Sequence, residues 1–278
     1  MEFRTRSLQM IAPMLLLCIA PAAPQSSKSQ HAHISLIAAP SDHSGTQWIG
    51  LRFQLDPGWH IYWTNPGDSG EPPKITWHLP SGFQAGDLQF PAPHRIADHG
   101  LTDYGYESEA VLLSKLTVPA GETSNKPEIA ADIRYLVCRE VCIPAKDHVS
   151  LNLREQNAGN ASQLQAAQAR LPQSLPRGVH ARAIAGVQAF LLSVGPTPQL
   201  GQITDFIPSD AQVIDNSAKP QITKSGVATQ VRLKKSEQLD HPVGELNGLL
   251  ITNGQSYNVV VPVTATKSSR KPSSPKHN

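Results

Sequence analysis

Cysteine is scarce in this sequence, at three in 278 residues, and that scarcity bounds its chemistry. A disulfide-rich scaffold is excluded, and a zinc site is disfavoured because Cys138 and Cys142 have no second ligand pair at the usual spacing. Long apolar runs are lacking too. Beyond residue 20 nothing approaches the roughly 20 apolar residues of a membrane-spanning helix, so no transmembrane segment is expected in the mature chain. Charge of one sign is also missing: the formal net charge is +2, which provides no basic field for nucleic acid. Before residue 155, no stretch has convincing helical periodicity.

What is present begins with an export signal. Arg4 and Arg6 precede the apolar run Met10 to Ala20, and Ala20-Pro21-Ala22 supplies small residues for cleavage, so residues 1–22 read as a signal peptide. Cys18 lies inside it. Leu15-Leu16-Leu17 stands where a lipoprotein signal carries a small residue, which argues against a lipid anchor.

From residue 31 the pattern is period two. Ile34, Leu36 and Ala38 share one face, as do Ile49, Leu51, Phe53 and Leu55, then Ile75, Trp77 and Leu79. Val111 to Val118, Ile129 to Val137, and Val149, Leu151 and Leu153 continue it, with turns such as Asp56-Pro57-Gly58 between runs. The expected fold class is all-β, with an antiparallel β-sandwich over residues 31–154. Trp59-His60-Ile61-Tyr62-Trp63 reads as a set of core anchors. His94 to Glu107 reads as a polar, loop-like cover carrying Leu101, Tyr104 and Tyr106. Residues 155–178 read as a linker with one short helix over Ala161 to Leu171. A second, smaller β-sandwich follows over residues 179–266, marked by a strand from Val227 to Leu233 and a hairpin turning at Asn253-Gly254. It has no cysteine and no clustered acids, so its default role is structural or partner-binding. Residues 267–278 form a basic tail expected to be disordered.

The chemistry concentrates in Tyr135-Leu136-Val137-Cys138-Arg139-Glu140-Val141-Cys142-Ile143-Pro144. An extended chain would hold the two cysteines about 13 Å apart, beyond the roughly 7 Å Cα limit for a disulfide. One helical turn or a tight loop over Arg139-Glu140-Val141 would bring them to about 6 Å. So short a ring stabilises little by loop closure, which favours a redox role, although a local disulfide locking a hairpin stays open. The register of Ile133 and Tyr135 puts Cys138 on the opposite face, where it is expected to reach the sandwich surface. Arg134, Arg139 and Lys146 favour a thiolate while Glu140 and Asp147 oppose it, and Pro144 is expected to end the turn.

Four stretches carry a resemblance. Gly58-Trp59-His60-Ile61-Tyr62-Trp63-Thr64-Asn65-Pro66-Gly67-Asp68-Ser69-Gly70, Phe90-Pro91-Ala92-Pro93, Tyr104-Gly105-Tyr106-Glu107, and Leu136-Val137-Cys138 through Cys142-Ile143-Pro144 are similar to the periplasmic N-terminal region of the DsbD/ScsB disulfide reductases, the ScsB-like branch above all. The resemblance implies an immunoglobulin-like sandwich followed by a second β domain. It implies a periplasmic protein in which Cys138 and Cys142 pass reducing equivalents to thioredoxin-like partners. Exchange needs a thiolate attacking in line with a second thiol near enough to resolve, and Cys142 is expected as the attacking sulfur with Cys138 resolving. No cofactor is expected. A cap loop from about Ala97 to Glu107, including Asp103, Tyr104 and Tyr106, is expected to shield the cysteines, with Tyr104 as the shielding ring. Full reductases of the family continue into a membrane domain and usually a thioredoxin-like domain, whereas this sequence stops at Asn278. A separate membrane thiol or electron transporter is therefore expected as a partner, and the direction of electron flow stays open.

Two other readings compete. The family resemblance carries associations with copper tolerance as well as cytochrome c maturation, and thiolate with imidazole suits copper. Yet His31, His33, His60, His78, His94, His99 and His148 are scattered without repeated spacing, so no metal ligand is assigned. The remaining reading is a non-catalytic adaptor of two sandwiches with an inert disulfide.

Overall fold

The computed structural model describes residues 27–29, 31–39, 45–98, 100–120, 127–154 and 158–265. The expected signal peptide over residues 1–22, Cys18, His99 and the basic tail lie outside the described residues. No helix among those described is long and apolar enough to cross a membrane.

Eleven strands build the first domain: β1 (Ser27–Ser29), β2 (Ala32–Ala38), β3 (Gly45–Leu55), β4 (His60–Gly67), β5 (Lys74–His78), β6 (Gln84–Ala85), β7 (His94–Asp98), β8 (Leu101–Glu107), β9 (Glu109–Val118), β10 (Glu128–Cys138) and β11 (Cys142–Asn152). One sheet runs β1-β2-β3-β9-β6 and the other β11-β10-β4-β8-β7, with β5 also on β10. Every pairing in this domain is antiparallel, as the alternating runs require. The apolar positions of each run face inward. Ile34, Ile49, Phe53, Ile61, Ile129, Ile133, Tyr135, Val137 and Val149 belong to one buried core, in which Phe53 meets Tyr135 edge-on.

Two segments differ from expectation. The stretch from His94 to Glu107 is a hairpin, β7 with β8, rather than a loop, because Gly100 at φ +86° turns the chain tightly. The linker is more than a tether: α1 (Ala158–Ala169) lays Leu164 and Ala167 against Ile37, Val111 and Leu113. Gly50 makes room for it, since a β-carbon there would press on Val111, Ile37 and Leu164.

Beyond α1 come β12 (Gln173–Ser174), β13 (His180–Ala185), β14 (Ala189–Gly195), β15 (Ile203–Pro208), β16 (Gln221–Ser225), β17 (Ala228–Lys234), β18 (Glu245–Thr252) and β19 (Ser256–Ala265). They are joined in one order, β15-β18-β19-β13-β14-β17-β16 with β12 on β19, and both β13 and β12 pair β19 in parallel. Phe190, Leu192, Phe206, Val231 and Leu250 anchor a second core. Ile207 and Leu249 instead join the first core, so the two domains share an apolar contact.

Candidate functional site

The β10–β11 hairpin delivers the cysteines to each other. Its register runs from Glu128 opposite Asn152 to Cys138 opposite Cys142, leaving Arg139-Glu140-Val141 as the loop, closed by the Arg139 amide donating to the Val141 carbonyl at 3.2 Å. Of the two geometries open to the sequence, the chain takes the tight loop. Cys138 and Cys142 form a disulfide with Cα atoms 4.2 Å apart.

The two sulfur-bearing residues are unequal. Cys142 is exposed at the rim, while Cys138 is 1% exposed. The expected surface position of Cys138 is therefore corrected in one respect. It does face away from Val137 and the core, but β4 closes beside it, pairing His60 with Cys138, and that face is occupied by the buried side chains of His60 and Tyr62.

Tyr62 is the ring next to the disulfide. Its hydroxyl lies 3.4 Å from Cys142 Sγ and 3.3 Å from Ser69 Oγ. Ser69 donates from its hydroxyl to Asp103 Oδ2 at 2.7 Å and from its amide to Asp103 Oδ1 at 2.9 Å. His60 Nε2 stands 3.8 Å from the same carboxylate, and its ring meets Tyr62 edge-on. Gly70, at φ +78°, lies against the Tyr62 ring, where a β-carbon would overlap the phenol. Burial pushes the Tyr62 hydroxyl above its ordinary range, with Ser69 opposing, so the phenol stays protonated as a donor at neutral pH. Burial likewise raises the Asp103 carboxyl, against the pull of the Ser69 donors and His60.

Of the expected cap residues, Asp103 belongs to this network and the two tyrosines do not. Strand alternation on β8 turns Tyr104 and Tyr106 to the opposite face, into the core. The Tyr106 hydroxyl donates to the Pro91 carbonyl at 2.6 Å, and the Tyr104 hydroxyl donates to Asn216 Oδ1 at 2.9 Å. The expectation that Trp59-His60-Ile61-Tyr62-Trp63 are core anchors is met by Trp59, Ile61 and Trp63 and corrected for His60 and Tyr62, and the sequence offers no site role for Ser69 or Gly70. For His60 and Tyr62 the signal was available: in Trp59-His60-Ile61-Tyr62-Trp63, alternation sends Trp59, Ile61 and Trp63 to the core and His60 and Tyr62 to the cysteine face.

The supporting residues flank the rim. Arg139 lays its guanidinium over the Trp59 ring at 5.5 Å and stands 4.0 Å from the exposed Glu140. Val141, at the loop tip, is 65% exposed. Pro144 does not end the turn; it sits opposite Leu136 two residues into β11, a strand whose outer edge tolerates its missing amide hydrogen. Arg134, Lys74 and Lys146 border a shallow groove floored by Leu136 and Pro144, on the same face as the disulfide. His94 pairs with Glu107 at 3.1 Å. The histidines are not all scattered, however: His78 and His148 meet at Asp132.

The second domain reaches this site through polar contacts. Asn216 donates to Asp68 Oδ1 at 2.8 Å while accepting from Tyr104, and Asp68 Oδ2 accepts the Thr102 amide at 2.8 Å. Arg95 bonds both Asp205 oxygens, at 2.7 and 3.2 Å, and donates to the carbonyls of Phe206 and Asn216. Asn65 donates to the Pro208 carbonyl at 2.8 Å. Asp68 directly precedes Ser69, so the second domain grips the loop that supports Tyr62.

Residues 31–154 match the family model described as thiol:disulfide interchange protein DsbD, N-terminal. No curated protein matches the chain. Among solved structures, the N-terminal periplasmic domain of ScsB from Proteus mirabilis is similar with a TM-score of 0.64 at 22% identity, over 85% of this chain and 94% of that one, which shows a shared fold. The DsbD N-terminal domain of Neisseria meningitidis, in its reduced form, aligns with a TM-score of 0.29 at 16% identity, over 43% of this chain and 83% of that one. With its paired cysteines at the tip of a β hairpin, the first domain of this chain thus resembles the N-terminal region of the DsbD thiol:disulfide interchange proteins, over the residues that the family model matches.

Proposed function

We propose that this protein is a periplasmic thiol-disulfide exchange module that passes reducing equivalents between a membrane thiol transporter and thioredoxin-like proteins through Cys138 and Cys142. The observation that supports this reading is the asymmetry of the pair, with one sulfur at an exposed rim and the other beneath it. A donor thiolate attacks Cys142 Sγ in line, the bond between the two cysteines breaks, and Cys138 leaves as a thiolate that takes up a proton. The donor's second thiol then attacks its own sulfur in the mixed disulfide and frees Cys142, so two electrons have entered. Delivery runs in reverse: the Cys142 thiolate attacks a partner disulfide, and Cys138 resolves the mixed species by attacking Cys142. In both directions the Tyr62 hydroxyl donates to charge developing on Cys142 sulfur.

Arg139, the exposed Val141 and the basic borders of the neighbouring groove form the rim that a partner meets. Val141 supplies an apolar contact, and Arg134 and Lys146 favour an acidic surface, while Lys74 is paired with Glu71 at the groove's edge. The second domain, from residue 179, braces the Asp68–Gly70 loop. A reading in which the cysteines and histidines together hold copper gains nothing from the geometry, because the sulfurs are bonded to each other and His94 is bound to Glu107. The test is trapping. Cys138→Ser should accumulate a mixed disulfide through Cys142 with an oxidised thioredoxin-like protein, and Cys142→Ser should not. Absence of any trapped species from either variant would leave an inert adaptor.

A further inference from the structure

One cluster on the first domain has no part in the exchange chemistry. His78, Asp132 and His148 come from the adjacent strands β5, β10 and β11 and point outward from the same sheet face. The register fixes their spacing: His148 stands directly opposite Asp132, and His78 pairs with Ala130, one diagonal step away. His78 Nε2 lies 2.7 Å from Asp132 Oδ2, and His148 Nδ1 lies 2.6 Å from Asp132 Oδ1. One ligand atom from each residue falls within 4.8 Å of the other two.

From this geometry we propose that His78, Asp132 and His148 form a binding site for a late first-row divalent cation, Cu2+ or Zn2+. Two imidazoles and a carboxylate suit these ions, whereas Ca2+ and Mg2+ call for oxygen ligands throughout. Metal–ligand bonds of about 2.0–2.2 Å put neighbouring ligand atoms roughly 3–3.5 Å apart, so a shift of about 1 Å in exposed side chains closes the present arrangement around an ion. The strands supply a rigid base, and the exposed side leaves remaining coordination positions to water.

Ordinary surface ion pairing explains two contacts to one carboxylate, and such pairs contribute little. What goes beyond a surface pair is the register, which sets two imidazoles and a carboxylate on three adjacent strands with one ligand atom of each within 4.8 Å of the other two. Arg134 and Lys146, the next pair along the same face, oppose a cation and limit the affinity. The cysteines take no part: Asp132 is six residues from Cys138 on β10, about 20 Å away.

The full chain with its disulfide intact, stripped by chelator, is titrated with CuCl2 and with ZnCl2 by calorimetry. Binding of one ion per chain is expected, weakened at least about tenfold in His78→Ala, His148→Ala and Asp132→Asn alike. Electron paramagnetic resonance of the Cu2+ form should show two coordinated imidazole nitrogens, lost stepwise in the single histidine variants. Unchanged affinity in all three variants, a signal unaffected by them, or no binding at all would overturn the site. An ion held instead at His31 and His33 would give the unaffected signal.

Discussion

Replacing Asn216 by Ala tests whether the second domain holds the redox loop in place. The substitution removes the donor to Asp68 and the acceptor for the Tyr104 hydroxyl, two contacts of 2.8 and 2.9 Å. A hydrogen bond to a charged group contributes about 1.5–3 kcal/mol, and stranding a buried hydroxyl costs about 1–3 kcal/mol. Tyr104 is fully buried and keeps only the Arg95 contact at 3.3 Å, so its part of the loss stands. Asp68 is exposed, and water recovers some of its share. Together these give about 3 kcal/mol, or a fall in Tm of roughly 6–12 °C at this chain size. Thermal unfolding followed by circular dichroism measures it, with His241→Ala as a control, because its contact to Asp240 is exposed and its loss is expected to shift stability by no more than about 0.5 kcal/mol. Loosening Asp68 also frees Ser69 and Gly70 from the Tyr62 ring, so dithiothreitol should reduce the disulfide faster in the variant. A loss under about 0.5 kcal/mol with an unchanged reduction rate would refute the bracing role.

Other outcomes follow from the same geometry. Tyr62→Phe removes the donor beside Cys142 and should slow exchange by about fivefold, the equivalent of roughly 1 kcal/mol, in stopped-flow reaction with a thioredoxin-like protein. Tyr104→Phe should leave that rate nearly unchanged while lowering stability by about 1 kcal/mol, because its hydroxyl serves Asn216; a large rate change would restore it as a shield. The Asp103 carboxyl titrates above its ordinary value when folded, so its contribution is present below that value and is lost as pH rises through the folded one. Asp103→Asn, which keeps an acceptor for the Ser69 amide, should therefore gain stability over the parent protein at neutral pH. In urea unfolding at stepped pH the gap should close toward pH 4 and below, and a gap that widens in acid would contradict the assignment.

The alternating runs made much of the first domain legible, because a half-buried strand must repeat every two residues. Ile129, Ile133, Tyr135 and Val137 fall on the core side as their spacing requires, and Cys138 on the other. What covers Cys138 was not legible, since it depends on β4 pairing beside β10 and on a loop folded over Tyr62. Tyr104 and Tyr106 lie on a strand, β8, within a stretch whose polar residues and glycines give it the composition of a loop, and strand alternation turns both rings to the core. Leu164 and Ala167, three apart, carry the periodicity of a docking helix, but only the room at Gly50 shows where it docks. Contacts such as Arg95 with Asp205, 110 residues apart, leave no local trace in the sequence. The same holds for His78, Asp132 and His148, whose meeting depends on strand register.

The reduction potential of the Cys138–Cys142 pair is the most direct measure of the central claim. Equilibrated with a thioredoxin-like protein of known potential and quantified by thiol alkylation, an exchange module should be poised above about −300 mV and should give up two electrons per chain to an oxidised partner. A potential well below that value, with the cysteines unreactive toward the partner in either redox state, would make the pair a staple and contradict the account.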